Sequence, residues 1–461
     1  MSKTKWLSGM ALLALFAAVP PGRGAAQALR VPFETFTLSN GLTVIMHEDH
    51  SVPVVTVNTW FHVGSGDERV GRTGFAHLFE HIMFMGSQHV PTGDFDRLLE
   101  AAGANNNGST TEDRTNYFED GPSSALPLML WLDADRMGFL LPEITPPKVD
   151  IQRGVVQNER RQSYENQPYG LAQENIITRL YPRGHPYSWP VIGSMADLAA
   201  ATIDDVRDFF RTYYAPNNAT IVIAGDINPQ QVRRLVEQYF GDLPRGPAVT
   251  RGDVPPVRLE SNVYHTLEDR VQLPRVYNAW HTVKGFADDD AALDVLASVL
   301  ATGRSSRLYR RLVYDLQIAT DVVAYQDGGR LDGMFQIYTT ARPGHDLTEL
   351  QRVVDEELRR LAESGPTERE VQRVQNQVEA RFLGQMERVG SFGGKADQLN
   401  YYHYFVGTPD YFERDLDRYR RVSVADVQRA ARQYLTQQRR VVLSIVPQGR
   451  TTLAVTEGVV P

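Results

Sequence analysis

The second half of this chain reads like its first at a displacement of 220 residues: Glu48-Asp49 leads to Trp60 as Glu268-Asp269 leads to Trp280, with His62 and His281 close behind. The likeness returns at the end of each half, where Val206 to Pro229 and Val427 to Pro447 both run from a helical stretch through tyrosine into a short apolar strand. Between the halves, Gly241 to Pro256 is rich in glycine and proline and poor in large apolar residues, the composition of an interdomain linker. A chain of 461 residues is also too long for one core, since single cores stop growing near roughly 250–300 residues. Alternation over Val54 to Phe61 and Thr110 to Glu119 predicts strands, and the spacing over Phe75 to Met85, Leu126 to Leu140 and Lys148 to Gln167 predicts helices. The expected fold is α+β, with two homologous domains that each pack an antiparallel or mixed sheet against helices. The expected boundaries are 29–243 for the first domain, 244–257 for the linker and 258–461 for the second domain.

Residues 1–28 belong to neither domain. Lys3 and Lys5 precede the apolar stretch Trp6 to Pro20, and Ala26-Gln27-Ala28 offers a small-residue cleavage site. This pattern predicts a signal peptide cleaved after Ala28 and an exported, periplasmic product. The apolar stretch is shorter than the roughly 20 residues that span a bilayer, and no later segment is apolar enough, so no membrane association is expected after cleavage. Lys and Arg number 48 against 56 Asp and Glu, a formal charge of −8, and the leader would take Lys3, Lys5 and Arg23 with it. That balance offers no cationic surface for nucleic acid. The chain has no cysteine, which removes thiolate nucleophiles, iron–sulfur clusters and Cys-ligated zinc. Any metal site must be built from His, Asp and Glu.

His77-Leu78-Phe79-Glu80-His81 supplies such a site. On a helix the two imidazoles at i and i+4 and the carboxylate at i+3 project from one side, so both rings can reach one ion with the carboxylate beside it. Zinc hydrolases use this geometry. The surrounding segment, Phe75 to Met85, is apolar nearly throughout, so these groups need partners if they are buried.

In Gly74 to Phe84, and again in Val155-Val156-Gln157-Asn158-Glu159-Arg160-Arg161, the chain resembles the pitrilysin-type zinc peptidases. These inverted zincins include insulin-degrading enzyme and the mitochondrial processing peptidase, and the likeness is to their compact two-domain, secreted bacterial members. It runs over nearly all of the chain after the leader. The resemblance implies Zn²⁺ held by His77, His81 and Glu159, with Glu80 as the catalytic base and the two domains enclosing a chamber. Spacing alone would not have selected Glu159 from 56 acidic residues. Asn107 and Gly108 stand where the family keeps an Asn-Ala pair on an edge strand that takes up peptide by strand addition. With Thr110 they are the implied substrate contacts. Gln152 occupies a position where the family usually carries a further Glu, which removes a charge from the metal surroundings.

In the second half the displacement of 220 places Ala297, Leu300 and Ala301 opposite His77, Glu80 and His81, so no second metal site is expected. The family's second domain often presents an Arg and, seven residues on, a Tyr to the substrate. Val313 and Thr320 fall there, and Arg307 and Tyr309 are the nearest replacements in sequence. Gly390-Ser391-Phe392-Gly393-Gly394 reads as a helix–helix turn, with a chamber-lining loop as the alternative. Two functions follow. The first is a zinc metalloendopeptidase acting on peptides or unfolded segments in the cell envelope, with a related chain supplying the Arg/Tyr pair, or with the chain working alone or as a homodimer on substitute donors from its own second domain. The second is a non-catalytic assembly or chaperone-like subunit of the same fold.

Overall fold

Two sheets organise the chain. In the computed structural model, which describes residues 30–457, the strands are β1 (Glu34–Thr37), β2 (Thr43–Glu48), β3 (Val54–Phe61), β4 (Asn105–Thr110), β5 (Thr115–Pro122) and β6 (Ala219–Gly225), followed by β7 (Val263–Asp269), β8 (Arg275–Thr282), β9 (Ala319–Gly328), β10 (Gly333–Ala341) and β11 (Arg440–Pro447). The leader expected at 1–28 lies outside the described residues. The first sheet has the order β1-β2-β6-β3-β5-β4 and the second β7-β11-β8-β10-β9. Without β1 the two orders correspond strand for strand. β2 runs parallel to β6 as β7 does to β11, and the other pairings are antiparallel in both. The duplication read from the sequence is therefore a duplication of topology, in two mixed sheets packed with helices.

Alternation in β3 divides its side chains between two layers: Val55, Val57 and Phe61 enter one core, while Asn58 and Trp60 face the opposite side. β6, buried throughout, reads as a continuous apolar run because both its faces are covered. The helices of the first half include α1 (Phe75–Ile82), α2 (Asp94–Ala101), α3 (Leu126–Phe139), α4 (Pro146–Arg160) and α5 (Ala172–Leu180). α1 and α3 bury Phe75, Leu78, Phe79, Met129 and Leu130 against the first sheet. α5 instead crosses over: Ile176, Ile177 and Leu180 share a core with Tyr277, Ala279, Leu443 and Ile445 of the second sheet. The exchange is reciprocal. The helix Lys395–Val406 of the second half lies on the first sheet, where Asn400 Nδ2 donates to the Asn58 carbonyl at 2.8 Å and Trp60 Nε1 donates to Asp397 Oδ1 at 3.1 Å.

Two elements differ from the sequence reading. Thr110 to Glu119 is not one strand but the tip of a hairpin, β4 and β5 joined by a turn in which Thr111 N–H donates to the Arg114 carbonyl at 2.9 Å. β4 is spelled Asn-Asn-Asn-Gly-Ser-Thr, poor strand formers that extend because β5 pairs with them. The helix expected over 148–167 stops at Arg160 and passes into a π-helical turn, Arg161–Glu165. Residues 244–257 form no regular element, and Arg251 Nε fastens them to Asp67 Oδ1 at 2.7 Å. Among the described residues no helix is long and apolar enough to cross a membrane.

Because each sheet is covered by a helix of the other half, the halves are expected to unfold together. Differential scanning calorimetry should show one transition. Trp60→Ala, at a side chain 1% exposed between the halves, should lower it as a whole, costing about 3–5 kcal/mol. Two separable transitions, only one of them shifted by the substitution, would contradict this packing.

Candidate active site

The site begins with how α1 is held. Its N-cap, Gly74, has φ +88° and no side chain to cap the helix, and Glu68 does so from outside: its carboxylate accepts from Gly74 N–H and Ala76 N–H, each at 2.8 Å. Burial pushes the Glu68 carboxyl upward, and these backbone donors oppose that. A Cβ on Gly74 would stand 2.8 Å from the Ile192 carbonyl oxygen, and one on Gly193 would stand 2.5 Å from Gly74 Cα. The same segment accepts from α4, since Arg160 Nη1 donates to the Gly193 carbonyl at 2.8 Å. The start of α1 and the end of α4 are thus anchored on one short stretch of chain.

With Phe75, Leu78, Phe79 and Ile82 buried, α1 turns His77, Glu80 and His81 the other way, toward α4. Glu159 Oε2 lies 3.2 Å from His81 Nε2 and 3.7 Å from His77 Nε2. Tetrahedral ligands about 2.0–2.1 Å from one zinc ion are separated by roughly 3.3 Å, so these three atoms fit a single ion. The imidazoles stand edge to face, ring centres 4.9 Å apart. Burial pushes His77 down to about 4, which keeps the ring neutral, the form that ligates a metal. The hydrogen bond from His81 holds the Glu159 carboxyl below its usual range.

Glu80 stays beside this group. Burial raises its carboxyl, and Thr110 Oγ1, donating to Glu80 Oε2 at 2.6 Å, opposes the shift. Thr110, expected to touch substrate, gives its hydroxyl proton to Glu80. Gly108 leaves the room this requires: a Cβ there would sit 3.1 Å from Glu80 Cγ.

β4 ends its sheet, so one side of it is unpaired. Thr111 N–H points to β5, and alternation along the strand turns Gly108 N–H outward. Asn107 Oδ1 accepts that outward proton at 2.8 Å. Asn107 and Gly108 therefore lie at the open edge, the amide of one covering a donor of the other. Gln152, 7% exposed, donates to Met85 Sδ at 2.7 Å; it braces α4 against the residues after α1.

In the second half, Ala297 and Leu300 are buried in the core. Among the described residues, His77, His81 and Glu159 form the group able to hold a metal ion. The replacements suggested for the Arg/Tyr pair are engaged elsewhere. Arg307 forms a two-pronged pair with Glu370 at 2.7 and 2.8 Å, and Tyr309 packs against the second core. Glu68 and Gly193 carry no signal in the sequence because each acts through backbone groups, which leave no spacing signature, and nothing in the α4 motif marks the bond from Arg160 to the Gly193 carbonyl.

A duplicated α+β fold that keeps a His/His/Glu group in its first half and fills the matching place in the second with apolar side chains is the architecture of the two-domain metallopeptidases. The chain belongs to the insulinase family, peptidase M16: residues 43–193 match the insulinase (peptidase family M16) domain and residues 200–378 the peptidase M16 inactive domain. The zinc protease PqqE of Helicobacter pylori is 28% identical over 416 residues, covering 89% of this chain and 91% of that protein. The mitochondrial-processing peptidase subunit beta of Lentinula edodes is 24% identical over 424 residues, 88% of each. A crystal structure of a protease from Helicobacter pylori superposes with a TM-score of 0.83 at 26% identity, over 90% of this chain and 99% of that one. A Pseudomonas fluorescens structure described as a peptidase M16 inactive domain shares the fold with a TM-score of 0.80 at 19% identity, over 92% and 99%.

Gly71 and Gly74 both hold a left-handed backbone, φ +84° and +88°, but a Cβ on Gly71 meets nothing within 4 Å. Gly71→Ala should cost only the left-handed strain, about 1–2 kcal/mol. Gly74→Ala adds a collision with the Ile192 carbonyl. It should be the more destabilising of the two and should also weaken metal binding, read by chemical denaturation and by metal titration. Equal effects would show that the contact with 192–193 does not hold the helix.

Proposed function

We propose that this chain is a zinc-dependent metalloendopeptidase that cuts peptides or unfolded protein segments in the cell envelope. The observation that carries the reading is the meeting of His77, His81 and Glu159 around one point, with Glu80 beside them and tied by Thr110 to an open strand edge. Zinc protease names among the relatives support the metal. Bound zinc would supply the Lewis acid that polarises a peptide carbonyl and acidifies water.

The chain's own residues do the rest. His77, His81 and Glu159 hold the ion. Glu80, its carboxyl raised by burial, takes a proton from the attacking water and passes it to the departing amine. The peptide lies between the halves as an added strand on β4, where the Gly108 N–H becomes a donor once Asn107 releases it. Main-chain pairing reads an extended backbone with little regard to sequence, which suits unfolded substrates. The leader at 1–28 directs export to the periplasm, with Leu29 the expected first residue of the mature protein.

Val313 and Thr320, where the family presents Arg and Tyr, favour a second chain. A related exported chain would bring the two donors, with a homodimer as the simpler assembly. The same positions favour the other reading, a non-catalytic subunit, and the intact metal group opposes it.

Elemental analysis and peptide cleavage separate these readings. Glu80→Gln should keep about one zinc per chain, as a single three-ligand site binds, and lose activity by about 10² or more; Glu159→Gln should lose zinc affinity itself. A zinc-loaded wild-type protein that cuts no unfolded peptide, with or without its co-purifying chain, would leave the assembly role standing instead. As to the second chain, material isolated from its native envelope should outpace the lone polypeptide by about 10²–10³, the usual cost of missing oxyanion donors. Equal rates would remove the need for a partner.

A further inference from the structure

The loop Gly390-Ser391-Phe392-Gly393-Gly394 of the second half belongs to the surroundings of the open strand edge in the first. Ser391 Oγ donates to Asp120 Oδ2 at 2.7 Å, and Gly393 N–H donates to Asp397 Oδ2 at 2.8 Å. Ser391 holds φ +62°, a conformation unfavourable for a residue with a side chain, and a Cβ on Gly390 would fall 2.0 Å from Asp120 Oδ1. The loop is therefore pressed against β5 and pinned on both sides of Phe392. What it presents there is a ring. Phe392 meets Phe118 of β5 edge to face, centroids 4.8 Å apart, yet remains 37% exposed, while Phe118 beneath it is 5% exposed. Phe392 thus holds part of an apolar ring open to solvent at a place its loop fixes.

Strand register shows what that ring can serve. Phe118 is directly opposite Asn107, so the two side chains stand in one row on the same face of the sheet. A peptide added alongside β4 continues the row by one residue, about 4.8 Å further out. On the other face of the same strands Thr110 reaches Glu80. Successive peptide side chains then alternate between the metal side and the side where Phe392 waits.

We propose that Phe392, backed by Phe118, forms an apolar subsite that selects one bulky apolar side chain of the peptide held on β4. This rests on the strand-addition reading above and adds a side-chain preference to it. The second half, which has no metal group of its own among the described residues, thereby contributes directly to substrate choice.

The test uses the zinc-loaded full-length Glu80→Gln protein, which binds peptide without cutting it, and a labelled unfolded peptide rich in leucine and phenylalanine together with its single-alanine variants. At one position alanine should weaken binding by about tenfold, the scale of discrimination a hydrophobic pocket gives. In the Phe392→Ala background that step should shrink to about twofold while the other positions keep theirs, and Phe392→Leu should retain most of it. Binding with no sensitive position, or the same sensitive position undiminished in both Phe392 variants, would overturn the subsite and leave the peptidase reading intact. If no peptide in the set binds and the wild-type protein cuts none of them, strand addition itself is wrong and the subsite falls with it.

Discussion

The structure depends on an exchange of helices. Each sheet is covered on one side by helices of its own half and on the other by a helix of the opposite half. The contact is apolar where Ile45, Val222 and Ala224 join the core of the second half, and polar where Asn58 and Trp60 meet Asn400 and Asp397. A sheet with two apolar faces needs cover on both. One half supplies that only for one face. The relation between the halves is therefore closer to a shared core than to the moderately polar contact of two independent domains.

That sharing explains how a half without metal ligands can shape the site. The tip of the β4–β5 hairpin is held from the far side: Asp113 accepts from Tyr187 at 2.7 Å and from Arg330 N–H at 2.8 Å, and Tyr404 donates to the Asp113 carbonyl at 2.9 Å. Arg330 and Tyr404 belong to the second half. The same end of the hairpin carries Thr110, paired with Thr115 next to the turn, and Thr110 fixes Glu80. Positioning of the base thus runs from the second half through one hairpin, whose own composition is too polar and too glycine-rich to hold a strand unaided.

The parts legible in the sequence were those where one residue type has one physical meaning. Alternation in Val54 to Phe61 could only be a strand, and two histidines four apart beside a glutamate could only share one side of a helix. Glu159 was different. Its distance from His81 carries no periodicity, and it was found through resemblance to a known peptidase helix. β4 has no strand pattern of its own, because asparagine and glycine extend there by pairing and not by preference, and it too is found only through the resemblance. The helix exchange was equally invisible, since the apolar stripe of α5 looks the same whichever sheet it covers. Glu68 and Gly193 escaped for a third reason: they hold α1 through main-chain contacts, which any number of carboxylates or glycines in the sequence might have made.

The exchanged helices also set an order of events for a chain that emerges N-terminus first. β6 closes the first sheet at Gly225, yet the helix that covers its second face ends at Val406. At synthesis rates of about 5–20 residues per second, the intervening stretch takes on the order of ten to forty seconds to appear. Throughout that interval Ile45, Val222 and Ala224 lack the second-half residues that complete their core. The nascent first half is thus an aggregation-prone species by construction, and whatever carries or shields it must let go only when the last quarter of the protein has arrived.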